Sequence, residues 1–457
     1  MLTCVTDPGT RERGRATDPV LDWGLSLGVT VLALFLRLWD LGRPHRFGFD
    51  ETYYAKDAWS LLNHGYVRNY VEDADKLILD GKVHDVFASG PSMIVHPEVG
   101  KWLIALGEAV GGMHPVGWRL ASAVIGSLMV LLMVRFAKRV TGSLLLGVVA
   151  GLLMTFDGLQ LVLSRLALLD LFLAFFCLLG VHCLVADRQW IRRRLTDPVT
   201  SGSGPVHLWR PWLLAAGLAF GLAVGTKWNA LYLIAAMGLL FWTWSVDARR
   251  RIGVRRPWLR AAVVDALPAV GYLVLVPLVV YVLSWMGWLL HAHEYEQALS
   301  DTQYGPYWGT YLETDAHGFF AEAVQSLRSL WHYHHDVFVF HTKFLNDATH
   351  TYQSNPFGWP ILSRPVGVDV VLDIQPGEQG CAAAEGSTCL RQVLLIGTPV
   401  LWWFGSIAML WALVRWVLRR DWRYGLAVVG FAATWLPWFQ YADRPIFSYY
   451  AIAMLPF

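Results

Sequence analysis

Residues 161–185 read LVLSRLALLDLFLAFFCLLGVHCLV, an apolar run in which Arg165 and Asp170 are the only residues charged at neutral pH. A helix rises 1.5 Å per residue, so about 20 such residues cross a ~30 Å hydrocarbon core. Runs of comparable character recur at about 21–39, 117–134, 142–159, 211–226, 228–246, 262–288, 395–417 and 424–440. A last apolar segment, Pro445–Phe457, is too short to cross. The expected fold class is therefore an all-α integral membrane protein of about ten spans, the last incomplete, with native sequence expected beyond Phe457. The composition agrees: 55% of the 457 residues are hydrophobic and only 16% are charged, which sets the chain apart from soluble domains. A closed barrel would need short alternating strands, and none are evident. The net charge of +2 is spread in short basic clusters between apolar runs, so no basic face for nucleic acid is expected.

Those clusters set an orientation. Residues 1–20 form a polar tail containing Arg11, Arg13 and Arg15. The following run lacks the short core and small-residue cut site of a cleaved signal, so it reads as an uncleaved first span. Arg135, Lys138 and Arg139, then Arg188 and Arg192–Arg194, then Arg249–Arg251 with Arg255 and Arg256, and finally Arg415, Arg419, Arg420 and Arg423 all fall on the side of the tail. Basic loops stay cytoplasmic, which makes the tail cytoplasmic and the protein a multi-pass resident of the plasma membrane. Residues 21–457 then form one polytopic catalytic domain. Its two long loops, 40–116 and 289–394, face outward. Cys381 and Cys389 lie in the second, where a disulfide would persist; two unpaired thiols are the alternative.

The outer loops hold the candidate chemistry. Asp50 and Glu51, in FGFDETYY, follow the first span by about ten residues. A carboxylate beside apolar surface has its pKa raised toward the working pH and suits a general base. A solvated acidic pair at a helix start is the other reading. Arg119, Arg165 and Lys227 fall near the outer ends of three different spans, where three cations would clamp a phosphate. Each also has a structural alternative: Arg165 pairing with Asp170, and Arg119 or Lys227 snorkelling to headgroups. His96 and Lys101 close the first loop before an amphipathic segment, Trp102–Val110, that reads as an interfacial helix. His332, His334, His335 and Asp336 form a local cluster for which the sequence points to no distant ligand, and they read as loop hydrogen bonding rather than a metal site. HTYQSNPFGW, residues 350–359, mixes polar and aromatic side chains as a sugar or peptide site would, or as an interfacial aromatic belt would.

Together these residues resemble a known family, the protein O-mannosyltransferases, in particular their bacterial, actinobacterial-type branch. The likeness runs over nearly the whole chain. Asp50-Glu51 resembles the family's Asp-Glu motif, whose aspartate is its proposed base. HPEVGK at 96–101 is similar to the family's HPPLGK, with Glu98 and Val99 departing from it. SRLALLD at 164–170 is similar to SRYxLLD, and GTKWN at 225–229 resembles GxKW. His350, Tyr352, Ser354 and Trp359 match HPYxS…W except that Thr351 replaces proline, and Arg119 aligns with an arginine used near the lipid phosphate. The sugar-binding-like insert of eukaryotic members has no room between residues 289 and 394.

The resemblance implies the C-type glycosyltransferase (GT-C) fold and a polyprenyl-phosphate mannose donor. It further implies Ser/Thr-containing exported proteins as acceptors and inversion at the anomeric carbon. Asp50 and Glu51 would be catalytic, and Arg119, Arg165 and Lys227 would bind the donor phosphate. His96, Lys101, Asp170, His350, Tyr352, Ser354 and Trp359 would contact substrate. Glu51 would position acceptor, donor or a divalent cation (Mg or Mn), the sequence not deciding whether a metal is needed. Besides the bilayer, the protein-export translocon is an expected partner. The competing readings are a related lipid-phosphate-dependent glycosyltransferase acting on lipid or glycan, and a transporter. Against a transporter, the charges gather near one interface and no halves repeat.

Overall fold

The computed structural model describes residues 18–199, 202–300 and 317–457; the expected cytoplasmic tail with Arg11, Arg13 and Arg15 lies outside these. Helix α1 (Pro19–Leu38) opens on Asp18, whose side chain accepts from the Val20 N–H, with proline at its first position, where a missing N–H costs nothing. The first long loop folds into α2 (Glu51–His64), α3 (Ala74–Leu79) and α4 (Val99–Gly111), with a small antiparallel pair β1 (Arg68–Tyr70) and β2 (Phe87–Pro91). Then come α5 (Pro115–Thr141), α6 (Leu144–Thr155), α7 (Gly158–Leu163), α8 (Leu169–Arg194), α9 (Pro211–Val224), α10 (Ala230–Arg251) and α11 (Pro257–Leu283). The second long loop holds α12 (Met286–Leu290), α13 (Ala292–Ser300), α14 (Phe319–Thr342) and the hairpin β3 (Val366–Ile374)–β4 (Cys389–Leu395). Helices α15 (Pro399–Arg419) and α16 (Trp422–Trp435) follow, then 3₁₀ turns at Leu436–Tyr441 and Ser448–Ala453.

Helix α8 is the hub. Its apolar window is 89% buried, against 22% for α1 and 11% for α15, whose exposed leucines and aromatics form an outer surface suited to lipid. Two turns of π-helix in α11, Ala261–Asp265 and Gly271–Leu275, each precede a proline, Pro268 and Pro277. The ring cannot donate to the preceding turn and crowds its carbonyl, so the local hydrogen bonding widens.

The helices share a polarity. Arg135 and Lys138 of α5 bind Asp22 near the start of α1; Arg139 bonds Gln189 of α8, and Arg192 of α8 bonds Asp247 of α10. Arg210, at the start of α9, pairs with Asp187. The basic ends thus gather at one end of the bundle. The C-terminus of α1 and the N-termini of α5, α8 and α10 meet at the other, where α2 and α4 cover them.

Close approach of α4 and α5 requires glycine. A Cβ on Gly117 would overlap the Gly112 carbonyl, backbone that cannot rotate away. Gly117→Ala is therefore expected to cost about 1–3 kcal/mol, the usual penalty of overpacking, read as a lower thermal midpoint in detergent. An unchanged midpoint would mean that α4 is free to slide.

Several expected spans are redrawn. Residues 161–185 are not one helix: α7 ends at Ser164, a turn follows, and α8 starts at Leu169, placing the SRLALLD motif in the turn and the first residues of α8. Ser164 Oγ donates back to the Gln160 carbonyl, and Asp157 caps α7 while accepting from the Thr398 N–H and the Trp402 indole. The expected span at 142–159 shortens to the 12 residues of α6. Among the described residues, six helices are long and apolar enough to cross a membrane, with α6 and α9 as shorter apolar helices. Within Pro445–Phe457, Ser448–Ala453 turns in 3₁₀ form, with Tyr449 and Ile452 buried against the bundle.

Candidate active site

The loop after α1 is set by a buried ion pair. Glu51 and Arg119 are both fully buried, with Arg119 Nε 2.9 Å from Glu51 Oε1 and Nη2 2.7 Å from Oε2. Glu51 also accepts the backbone N–H of Gly48 and of Ala167. Arg119 donates further to the carbonyls of Leu41, Pro44 and Arg46. Phe47 stacks on Trp118 at 4.5 Å, and Phe49 takes a left-handed conformation (φ 52°) that swings the chain into α2. These contacts place Asp50 at the start of α2 while its own side chain makes no cap bond.

Asp50 therefore stands apart from Glu51. The Tyr449 hydroxyl donates to its Oδ2 at 3.4 Å, and it has no ion-pair partner within the salt-bridge distance among the described residues. Burial pushes its carboxyl up to about 6, helped by the charge of Asp170 and opposed by Lys227. Lys227 sits in the turn between α9 and α10, and its Nζ lies 2.8 and 3.0 Å from the two oxygens of Asp170, in the first turn of α8. The same Nζ is 4.6 Å from the Tyr450 ring centroid. Tyr54, one turn into α2, feels the charge of both Asp50 and Asp170. His96 stacks on His341 of α14 at 5.5 Å and faces Tyr54 at 6.3 Å. Burial lowers the pKa of both imidazoles, so they stand neutral at pH 7.

The structure thus gathers Asp50, Asp170, Lys227 and His96 and gives the remaining expected residues other positions. Arg119 has no N–H left for a phosphate, and Glu51 has no oxygen left for acceptor, donor or cation. Arg165 donates to the carbonyls of Leu36 and Asp40, closing the C-terminus of α1, and its alternative partner Asp170 is taken by Lys227. Lys101 pairs with Asp57 at 2.8 Å, tying α4 to α2. Ser354 Oγ accepts from the Trp359 indole at 2.8 Å, and Trp359 is buried beside Trp438 and Tyr450, so these two brace the last segment from behind. Tyr352 packs its hydroxyl against Gly367 of β3. His350, exposed, borders Phe49 and Phe447 at the rim of the site. Cys381 and Cys389 are joined in a disulfide across the end of the hairpin. His334 bonds Tyr281, and among the described residues no three His, Cys, Asp or Glu side chains are grouped to hold a metal ion.

Glu98, one of the two departures in HPEVGK, is fully buried, and burial pushes it up to about 7. The sequence reading passed over Tyr54, His341, Arg444, Tyr449 and Tyr450. The signal for the last three was an arginine and two adjacent tyrosines in a segment otherwise too short to span.

The arrangement offers a withdrawn carboxylate able to accept a proton near neutrality, with a cation a short way off and aromatic walls around both. Such a set suits deprotonation of a hydroxyl beside a group that leaves with negative charge.

Comparison with known proteins bears on the same region. The family model for dolichyl-phosphate-mannose-protein mannosyltransferase matches residues 28–291, covering Asp50 through Lys227. A polyprenol-phosphate-mannose–protein mannosyltransferase of Mycobacterium tuberculosis is 35% identical over 473 aligned positions, spanning 100% of this chain and 82% of that protein. One from Corynebacterium glutamicum is 33% identical over 446, spanning 94% and 79%. The structure of an S. cerevisiae protein O-mannosyltransferase complex bound to the sugar donor superposes with a TM-score of 0.64 at 13% identity, covering 95% of this chain and 84% of that one, a likeness of fold.

Proposed function

The chain belongs to the dolichyl-phosphate-mannose-protein mannosyltransferase family, and on that footing we propose that it moves mannose from a polyprenyl-phosphate carrier to Ser and Thr hydroxyls of proteins, with Asp50 as the base. It is a multi-pass membrane glycosyltransferase with the GT-C fold. The observation that carries the residue assignment is Asp50 itself, a carboxylate without an ion-pair partner among the described residues, raised to about 6 and lodged beside the Lys227–Asp170 pair.

In this mechanism the acceptor hydroxyl gives its proton to Asp50 as its oxygen attacks the anomeric carbon. The bond from that carbon to the phosphate oxygen breaks, and its electron pair leaves with the polyprenyl phosphate. A single displacement of this kind inverts the anomeric centre. Lys227 favours the step because charge grows on the phosphate as the bond breaks, and a preset cation stabilises that change more than it stabilises the bound donor.

Placement of the site on the outer face is supported by the basic ends of α5, α8 and α10 lying at the far end of the bundle, and by the Cys381–Cys389 disulfide, which persists in oxidising compartments. The N-terminus is then cytoplasmic, and acceptors are met as they leave the export machinery.

The test is transfer of radiolabelled mannose from polyprenyl-phosphate mannose to a Ser/Thr-rich peptide by membranes containing the protein. Transfer is expected; none, with intact donor, would redirect the search to other lipid-linked sugars. The base must be ionised, so kcat/KM should fall on the acid side with a midpoint near 6 rather than near the ordinary 3.8 of aspartate. The limb should persist in Glu98→Gln and in Asp336→Asn, which remove two other carboxyls raised by burial; a limb near 4 would deny Asp50 the role.

A further inference from the structure

Of the three cations expected to hold the donor phosphate, only Lys227 borders Asp50, and Asp170 already neutralises it. A departing phosphate monoester carries up to two negative charges, so the site as described is short of positive charge. Arg444 lies in the turn that leads to Tyr449 and Tyr450, half-buried, with its guanidinium over the Tyr441 ring at 5.2 Å. Among the described residues it forms no ion pair, and its buried Nε donates to nothing. A guanidinium withdrawn from water without an anion is costly unless a ligand supplies one. Its charge reaches His96, His341 and Tyr450, groups that also feel or touch Lys227. The two imidazoles, being neutral, do not supply the missing charge.

We propose that Arg444 and Lys227 together form the phosphate site, with Arg444 gripping the non-bridging oxygens of the donor phosphodiester and retaining them as the sugar–oxygen bond breaks. The planar fork of guanidinium matches phosphate with two parallel hydrogen bonds, whereas lysine offers a point charge. This takes over the role that Arg119 cannot fill. The assignment rests on the mannosyl-transfer reading for the sugar but not for the phosphate.

Binding of a sugar-free polyprenyl monophosphate, and of the matching uncharged polyprenol, should be measured on the full chain in detergent. Arg444→Gln is expected to weaken monophosphate binding by roughly tenfold or more, the worth of a charge-assisted hydrogen bond. Polyprenol binding should not change, and Arg444→Lys should recover part of the loss. Equal monophosphate affinity in wild type and Arg444→Gln would overturn the assignment. So would an equal weakening of both lipids, which marks a structural role. Wild type that binds monophosphate through Arg444 yet transfers no mannose would uphold the phosphate site and sink the transfer reading instead.

Discussion

Asp50→Asn should reduce mannosyl transfer by about 10²- to 10⁴-fold, the usual worth of a general base, while donor binding is retained and the protein folds at least as firmly as wild type. The two halves of that expectation have one cause. Burial raises the folded-state pKa to about 6 from an ordinary 3.8, so folding favours the protonated form. The stability that Asp50 contributes is then fully present below pH 4 and lost as the pH rises through 6. At pH 7 the carboxylate is charged at a cost to the fold, and the neutral amide relieves it. Asparagine keeps the shape and can still accept from Tyr449 but cannot take the acceptor proton. Turnover and thermal midpoint should be measured together on the same preparation. Loss of turnover with a lower midpoint would assign Asp50 to structure, and unchanged turnover would remove it from the chemistry.

What was legible from the chain, and what was not, divides along physical lines. Apolar runs announce helices because lipid and a packed bundle both demand them, and the basic clusters at their ends were readable one by one. Helix breaks were not: Ser164–Leu168 holds no proline or glycine, and the tertiary bonds of Asp157, Arg165 and the Ala167 N–H hold it as a turn. For the site, sequence named the charged residues near one end of the bundle but could not tell a charge that faces a ligand from one that faces its partner. Arg119 and Lys227 look alike in sequence. Both oxygens of Glu51 and three backbone carbonyls take every donor of the first, while the second stands beside Asp50 with its charge shared by Asp170. Ser354 and Trp359 read as a sugar site because hydroxyl and indole are its usual furniture, yet they bond each other.

Arg119→Ala is accordingly expected to damage the fold before it damages donor use. Removing one partner of a buried ion pair leaves the other charged and unsolvated, at a cost of about 3–5 kcal/mol, and here Glu51 would be the stranded group, with no exposure to water. Arg119→Lys should fare little better, since one ammonium cannot meet the two carboxylate oxygens and three carbonyls that Arg119 now serves. Because the same contacts hold the loop that carries Asp50, activity falls with the fold. The double variant Arg119→Met with Glu51→Gln removes both charges, so it should lose less stability than the sum of the single losses, a coupling that thermal midpoints of the four proteins would measure. Strict additivity would show that the pair is not a unit. An Arg119→Ala protein with a wild-type midpoint and only a raised donor KM would return Arg119 to the phosphate and displace Arg444 from it.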